Sequence, residues 1–273
     1  MKLRTSTFIT AILAALAGTH VMAATSISSG FTGPALDAGL TSTYTTAGTT
    51  LTLSGTAAFS GGGQNDRSYV GTVGTDYATS TSDWTATIEV QTAGLFGAQL
   101  FFGLGTGTSP GTGDPVYGTP QGATANQAAA MIYMYAPGET RSLSTIRKQS
   151  NLGYWSGEVN ISDATFDTIF GTTGGVAADA FYRYTMAYDF IAQTLTFDVD
   201  QISAFGGTVT SSGGANAAVM SLTDMGYDST NGKIIFGGNN NTFDNLNVTV
   251  IPEPSAALLG VLGMLCLLRR RRN

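Results

Sequence analysis

From Phe181 to Asp200 the chain alternates apolar and polar residues with a period of two, and that period restricts what it can become. Tyr182, Tyr184, Met186, Tyr188 and Phe190 alternate with Phe181, Arg183, Thr185, Ala187 and Asp189. After a short turn near Ala192, Leu195, Phe197 and Val199 alternate with Thr194, Thr196, Asp198 and Asp200. Successive side chains of a strand point to opposite faces, so each run buries one face and wets the other. The two runs are expected to pair as an antiparallel hairpin. Trp84, Ala86, Ile88 and Val90 alternate with Thr85, Thr87, Glu89 and Gln91 in the same way.

Further strands are expected at Leu51 to Leu53, Ala98 to Leu104, Met131 to Ala136, Lys233 to Phe236 and Phe243 to Val250, with a tight turn at Asn231 and Gly232. A short helix capped by Ser162 is expected within Ser162 to Phe170. Ser60 to Asn65, Gly103 to Gly122 and Gly206 to Gly214 hold most of the Gly and Pro and read as loops. Glycine makes up 36 of 273 residues, about 13% against a usual ~7%; threonine occurs 41 times and lysine three. Such a composition disfavours helices. Strands with one wet face fit two antiparallel sheets, each solvated outside, better than a parallel sheet covered by helices.

Histidine and cysteine bound the chemistry. His20 and Cys266 are the single residues of their kinds, and both fall near the ends. The body between them therefore holds no Ser-His-Asp triad, no cysteine nucleophile, no imidazole or thiolate zinc site and no disulfide. Setting aside Lys2, Arg4, Arg269 to Arg272 and Glu253 leaves six basic against seventeen acidic residues, a net charge of about −11. A body so acidic has little with which to release counterions from phosphates, which sets nucleic acid and anionic membrane surfaces aside as partners of the body.

The two ends read as addresses. Lys2 and Arg4 precede an apolar run from Phe8 to Ala17, and Val21-Met22-Ala23 places slim side chains where a signal peptidase cuts, so residues 1–23 are expected to be a cleaved leader. At the other end Pro252, Glu253 and Pro254 precede an apolar run from Ala256 to Leu268, followed by Arg269, Arg270, Arg271 and Arg272. This arrangement resembles the PEP-CTERM sorting signal of Gram-negative bacteria that make extracellular polysaccharide. The resemblance implies that Pro252, Glu253 and Pro254 are recognised by an exosortase, a membrane enzyme that processes the exported protein. Ser255 to Leu268, taken as a helix, spans ~21 Å against a ~30 Å hydrocarbon core. It is a marginal transmembrane anchor, with the arginines kept cytoplasmic. The expected organisation is a leader at 1–23, a β-sandwich at 24–250 and a sorting signal at 251–273.

Three segments of the body carry a second likeness. Gly30-Phe31-Thr32-Gly33-Pro34-Ala35-Leu36-Asp37, the Tyr188-Asp189 strand end answered by Thr194 to Asp200, and the closing Phe243-Asp244-Asn245-Leu246-Asn247-Val248-Thr249 resemble the concanavalin A-like jelly-roll sandwiches. The resemblance implies that the last strand returns beside the first, with residues 243 to 250 near residues 27 to 33. Other β-sandwiches, carbohydrate-binding modules among them, compete with this reading. A catalytic, laminarinase-like member would carry a Glu-x-Asp-x-x-Glu strand holding two carboxylates about 5 Å apart. Glu89, Glu139, Glu158 and Glu253 are the four glutamates, and none has that spacing. Glu158 and Asp163, five residues apart across an expected turn, read as a solvated loop pair.

Three oxygen-rich clusters are calcium candidates: Asp198 with Asp200; Asp224 with Asp228 and Asn231; and Asn239, Asn240 and Asn241 with Asp244. Against each stands the habit of Asp and Asn in turns of bonding their own backbone. No other cofactor is expected. Tyr154 and Trp155 between Gly153 and Gly157, with Tyr117 in the long Gly-rich loop, are the candidates for stacking on sugar rings. Packing back onto the core is the competing reading of each. Trp84 and Tyr182 to Tyr188 fall on inward faces and read as core. Two function classes stay open: an exported, non-catalytic surface or matrix protein associating with extracellular polysaccharide, and a polysaccharide hydrolase or lyase on a similar sandwich.

Overall fold

A computed structural model describes residues 25–45, 48–61, 68–92, 99–105, 130–134, 145–148, 159–160, 179–212, 218–221 and 232–251. The strands in chain order are β1 (Ile27–Ser29), β2 (Leu40–Thr45), β3 (Thr50–Leu53), β4 (Ala57–Ser60), β5 (Ser68–Thr72), β6 (Asp83–Thr92), β7 (Gln99–Gly105) and β8 (Ala130–Met134). They continue as β9 (Thr145–Lys148), β10 (Val159–Asn160), β11 (Phe181–Asp189), β12 (Thr194–Ile202), β13 (Val209–Ser212), β14 (Ala218–Ser221), β15 (Lys233–Asn239) and β16 (Asn241–Ile251).

The strands form two sheets. One runs β13-β12-β11-β6-β16-β4-β3, with β1 added to β16 and β14 to β12; the other runs β10-β9-β8-β7-β15-β5-β2. Every pairing is antiparallel. The expected hairpin forms with Phe181 opposite Ile202 and Asp189 opposite Thr194. The last strand does return beside the first, Ile27 lying opposite Val248.

The period-two pattern fills the space between the sheets. Trp84, Ala86, Ile88 and Val90 of β6, Tyr182, Tyr184, Met186 and Tyr188 of β11, and Leu195, Phe197 and Val199 of β12 are buried in one cluster with Val70, Phe102, Leu104, Ile234 and Phe236 of the facing sheet. Rings cross the interface directly: Phe236 meets Phe59 at 6.1 Å and Phe243 at 5.4 Å between centroids. At one end Trp84 stacks on Tyr188 at 5.5 Å and takes Tyr77 edge-on at 5.7 Å. The polar tips of these rings are all bonded. Trp84 Nε1 donates to the Tyr77 carbonyl at 2.8 Å, Tyr77 to the Thr25 carbonyl at 2.6 Å and Tyr188 to the Ala78 carbonyl at 3.3 Å.

Several boundaries differ from expectation. β15 runs three residues past Phe236, through Gly237 and Gly238 to Asn239, because glycine here serves the sheet instead of ending it. A Cβ on Gly237 would stand 2.2 Å from the Ser68 carbonyl oxygen of β5. Val209–Ser212, expected within a loop, pairs with β12 as a strand, its ladder shifted by a bulge at Gln201 and Ile202. β16 continues one residue beyond Val250, Ile251 lying opposite Asp83. The helix expected at 162–170 lies outside the described residues.

Candidate functional site

The outward face of the larger sheet carries a row of charged groups. Asp200 of β12 is opposite Arg183 of β11, Arg183 is opposite Glu89 of β6, and Glu89 is opposite Asp244 of β16. Alternation placed Glu89 on the wet face, yet it is only 4% exposed. The turn between β12 and β13 folds back over it. Phe205 of that turn packs edge-on against Phe181 at 5.0 Å, and the Gly206 N–H reaches the carboxylate.

Four donors converge on Glu89. Arg183 gives Oε1 two bonds, from Nε at 3.0 Å and Nη2 at 2.6 Å. Oε2 accepts from the Gly206 N–H at 2.6 Å and from Asn245 Nδ2 at 2.8 Å. Arg183 Nη2 also bonds the Gly207 carbonyl at 3.3 Å, closing the turn over the pair. Asn245 reaches inward because β16 bulges between Asp244 and Asn247 and Asn245 itself takes a left-handed φ of 51°, a conformation that Asn tolerates.

Burial alone would raise the Glu89 carboxyl, but the bonds from Asn245, Gly206 and Arg183, with the Arg183 charge, outweigh it and hold the group below its ordinary range. Asp244 is moved the other way. Partial burial pushes its carboxyl up, the Asn245 N–H bond at 2.7 Å opposes that, and the Glu89 charge adds to the rise.

Chemically, this arrangement is a brace. A carboxylate offers about four acceptor positions, and Glu89 has four donors on it. A general acid or nucleophile needs an oxygen free to meet the substrate. Glu89 and Asp244 are neighbouring carboxylates, but the first of them spends its oxygens on the fold.

The other expected sites fall as follows. Asp198 and Asp200 stand two residues apart on the outward face of β12, and only Asp200 joins the charged row. Asn239, Asn240 and Asn241 make the step from one sheet to the other: Asn241 Nδ2 donates to the Asn239 carbonyl at 2.8 Å, and Asn240 Oδ1 accepts from the Gly61 N–H at 3.3 Å. The first is a bond within the turn, the second ties Asn240 to the chain just after β4, and Asp244 belongs to the charged row instead. Among the described residues no group of three or more His, Cys, Asp or Glu is placed to hold a metal. Tyr117, Tyr154, Trp155, Glu158, Asp163, Asp224, Asp228, Asn231, Pro252, Glu253, Pro254 and Arg269 to Arg272 lie outside the described residues. Trp84, Tyr182, Tyr184 and Tyr188 are core, as their inward positions implied.

Two facing antiparallel sheets, with the last strand returned beside the first, define a concanavalin A-like jelly-roll sandwich, the fold of the legume lectins. Three solved structures show the likeness at a TM-score of 0.51. They are peanut lectin with a 9mer peptide (11% identical, covering 84% of this chain and 100% of that one), Lotus tetragonolobus seed lectin (13%, 84% and 100%) and lectin II from Ulex europaeus (12%, 84% and 99%). At such identity the likeness is one of fold. No protein-family model matches the chain, and no curated protein matches it.

Proposed function

We propose that this chain is an exported, non-catalytic surface or extracellular-matrix protein whose sandwich associates with extracellular polysaccharide. The observation that carries this reading is the architecture, shared along most of the chain with three proteins that are themselves lectins. The brace on Glu89 supports it, since this carboxylate of the charged row has both oxygens taken up by the fold. Residues 1–23 act as a cleaved leader and residues 251–273 as a PEP-CTERM signal, with Pro252, Glu253 and Pro254 presented to an exosortase-type enzyme and Arg269 to Arg272 left on the cytoplasmic side. Tyr154, Trp155 and Tyr117 supply stacking faces for sugar rings. Asp224, Asp228 and Asn231 are the candidate calcium ligands.

Binding to a glycan array, with hydrolysis followed in parallel, tests the functional core of this reading. Neutral glucans should bind, and added salt should leave that binding intact, because a body near −11 gains nothing from ionic attraction to them. Trp155→Ala should weaken binding and leave the melting temperature unchanged. Glucan hydrolysis or elimination without separable binding would transfer the protein to the polysaccharide-active enzymes. For the tail, intact mass of protein recovered from medium or envelope should lack Arg269 to Arg272, and a mass retaining them would sink the sorting assignment.

A further inference from the structure

Among the described residues the large apolar side chains left exposed are Val73, Ile191, Val209 and Ile251. Three of them stand at one end of the sandwich. Ile251 closes β16 opposite Asp83, the first residue of β6. Ile191, 82% exposed, sits in the β11–β12 turn, which lies at that same end of the next strand: Tyr188 is opposite Trp84, and the Phe190 N–H bonds Asp83 Oδ1 at 3.0 Å. Val73 follows β5 on the facing sheet, in the segment that leads to Tyr77 against Trp84.

Both ends of the described body leave from this place. Thr25 is held there by the Tyr77 hydroxyl on its carbonyl at 2.6 Å and by Thr75 Oγ1 on its hydroxyl at 3.1 Å. The Val250 N–H bonds Ser26 Oγ at 3.2 Å, so the two chain exits are neighbours. The acids nearby are occupied by backbone. Asp76 accepts from Ala78, Thr79 and Gly232, Asp83 from Phe190 and Asp189 from Ala192. Val209 belongs to the opposite end, since its partner Ile202 is opposite Phe181 and Phe181 is opposite Gln91. Gln91 is eight residues from Asp83 along β6, or ~27 Å at ~3.4 Å per residue.

A single exposed isoleucine is ordinary on a protein surface. The chain's reach gives this cluster its meaning. Ala256, where the C-terminal apolar run begins, is five residues past Ile251 and can lie no more than ~18 Å from it even fully extended. The β11–β12 turn is two strand spacings from β16, ~10 Å. An inserted tail therefore brings this end, and not the one with Val209, to the lipid headgroups.

We propose that this end of the sandwich is a membrane-facing surface: while the tail is inserted, Ile191, with Val73 and Ile251 beside it, rests in the interfacial layer of the bilayer. The proposal rests on residues 251–273 being a membrane-inserted signal. Loss of the tail then removes the tether that holds this contact.

The test uses the full chain, with Cys266→Ser to remove the native thiol. A cysteine introduced by Ile191→Cys, Val73→Cys or Val209→Cys is labelled with an environment-sensitive fluorophore. The labelled proteins are reconstituted into phosphatidylcholine vesicles with and without spin-labelled lipid. Labels at 191 and 73 should shift to the blue and be quenched at least twofold more than the label at 209. Equal quenching at 191 and 209 in protein that floats with the vesicles would overturn the proposal while leaving the anchor intact. Protein that fails to float with vesicles would overturn the anchor and the proposal together.

Discussion

Arg183 and Glu89 face each other across β11 and β6, and the guanidinium grips one carboxylate oxygen through two nitrogens while the turn after β12 takes the other. The pair thus joins three stretches distant in sequence. Arg183→Ala should cost about 2–3 kcal/mol, because a buried carboxylate would lose its countercharge and two of its four donors. The urea midpoint should fall with an unchanged slope. A loss below a few tenths of a kcal/mol would mean that water replaces the guanidinium at no cost.

The acid limb of the stability profile should carry two opposing contributions. Glu89 is held below its ordinary 4.5, so its contribution is complete above that value and is lost as the pH falls through the folded one. Asp244 is raised above its ordinary 3.8, so it penalises the fold at neutral pH and is relieved on acidification. Asp244→Asn should therefore stabilise the protein at pH 7 by a few tenths of a kcal/mol, the scale of partly exposed charge terms. It should also steepen the fall in stability toward acid. Thermal melts of both proteins from neutral to acid pH check the crossing of the two trends.

Alkali should unfold the protein through its buried phenols. Burial pushes Tyr77 up to about 12 from an ordinary 10.0. Tyr188 rises for the same reason, with Asp189, Asp76 and Asp83 adding to it. A group raised in this way keeps the fold stable below the unfolded value, and that stability is lost as the pH climbs from about 10 toward 12. Tyr77→Phe should flatten this alkaline limb, and should cost about 1 kcal/mol at pH 7 for the lost bond to Thr25.

Two glycine substitutions should separate steric from conformational cost. At Gly55, φ is +73° and no atom would lie near a new Cβ, so Gly55→Ala should cost about 1 kcal/mol of backbone strain. Gly237, at φ +148°, would set its Cβ 2.2 Å from the Ser68 carbonyl oxygen and 2.8 Å from the Tyr69 Cα. Gly237→Ala should cost more than about 3 kcal/mol, or leave no folded protein to purify.

The melting temperature of a fragment covering residues 24–251 should be indifferent to reductant, since that stretch holds no cysteine. A thiol-dependent transition would contradict the reading.

Much of the fold is written in alternation, and where alternation is long it is unambiguous. Nine residues of β11 and nine of β12 leave one way to bury four large rings and a methionine. Short strands were not legible: Ala57–Ser60 and Val209–Ser212 carry too few bulky residues to show a period, and their pairing comes from neighbours. The expected strand ends at Phe236, before two glycines, which usually weaken strands; the closeness of the Ser68 carbonyl explains the place of Gly237. Glu89 read as one more wet-face residue, since nothing local says that a turn 117 residues later will cover it. A signal is present nonetheless: in a chain with so few cations, Arg183 is the one cation of β11 and stands on its wet face, as Glu89 does on that of β6.

One consequence of the step at Asn240 concerns how the protein reaches its fold. β15 lies between β7 and β5 in one sheet, β16 between β6 and β4 in the other, and a single residue with φ +53° joins them. The usual entropic obstacle to assembling a sandwich is closing long loops before distant strands repay them. Here an inner strand of each layer arrives joined to its counterpart, with Phe236 and Phe243 already within contact of each other. The arch from Lys233 to Ile251 therefore supplies both layers with an inner strand at once, and the two are brought together by a one-residue connection in a conformation that Asn tolerates.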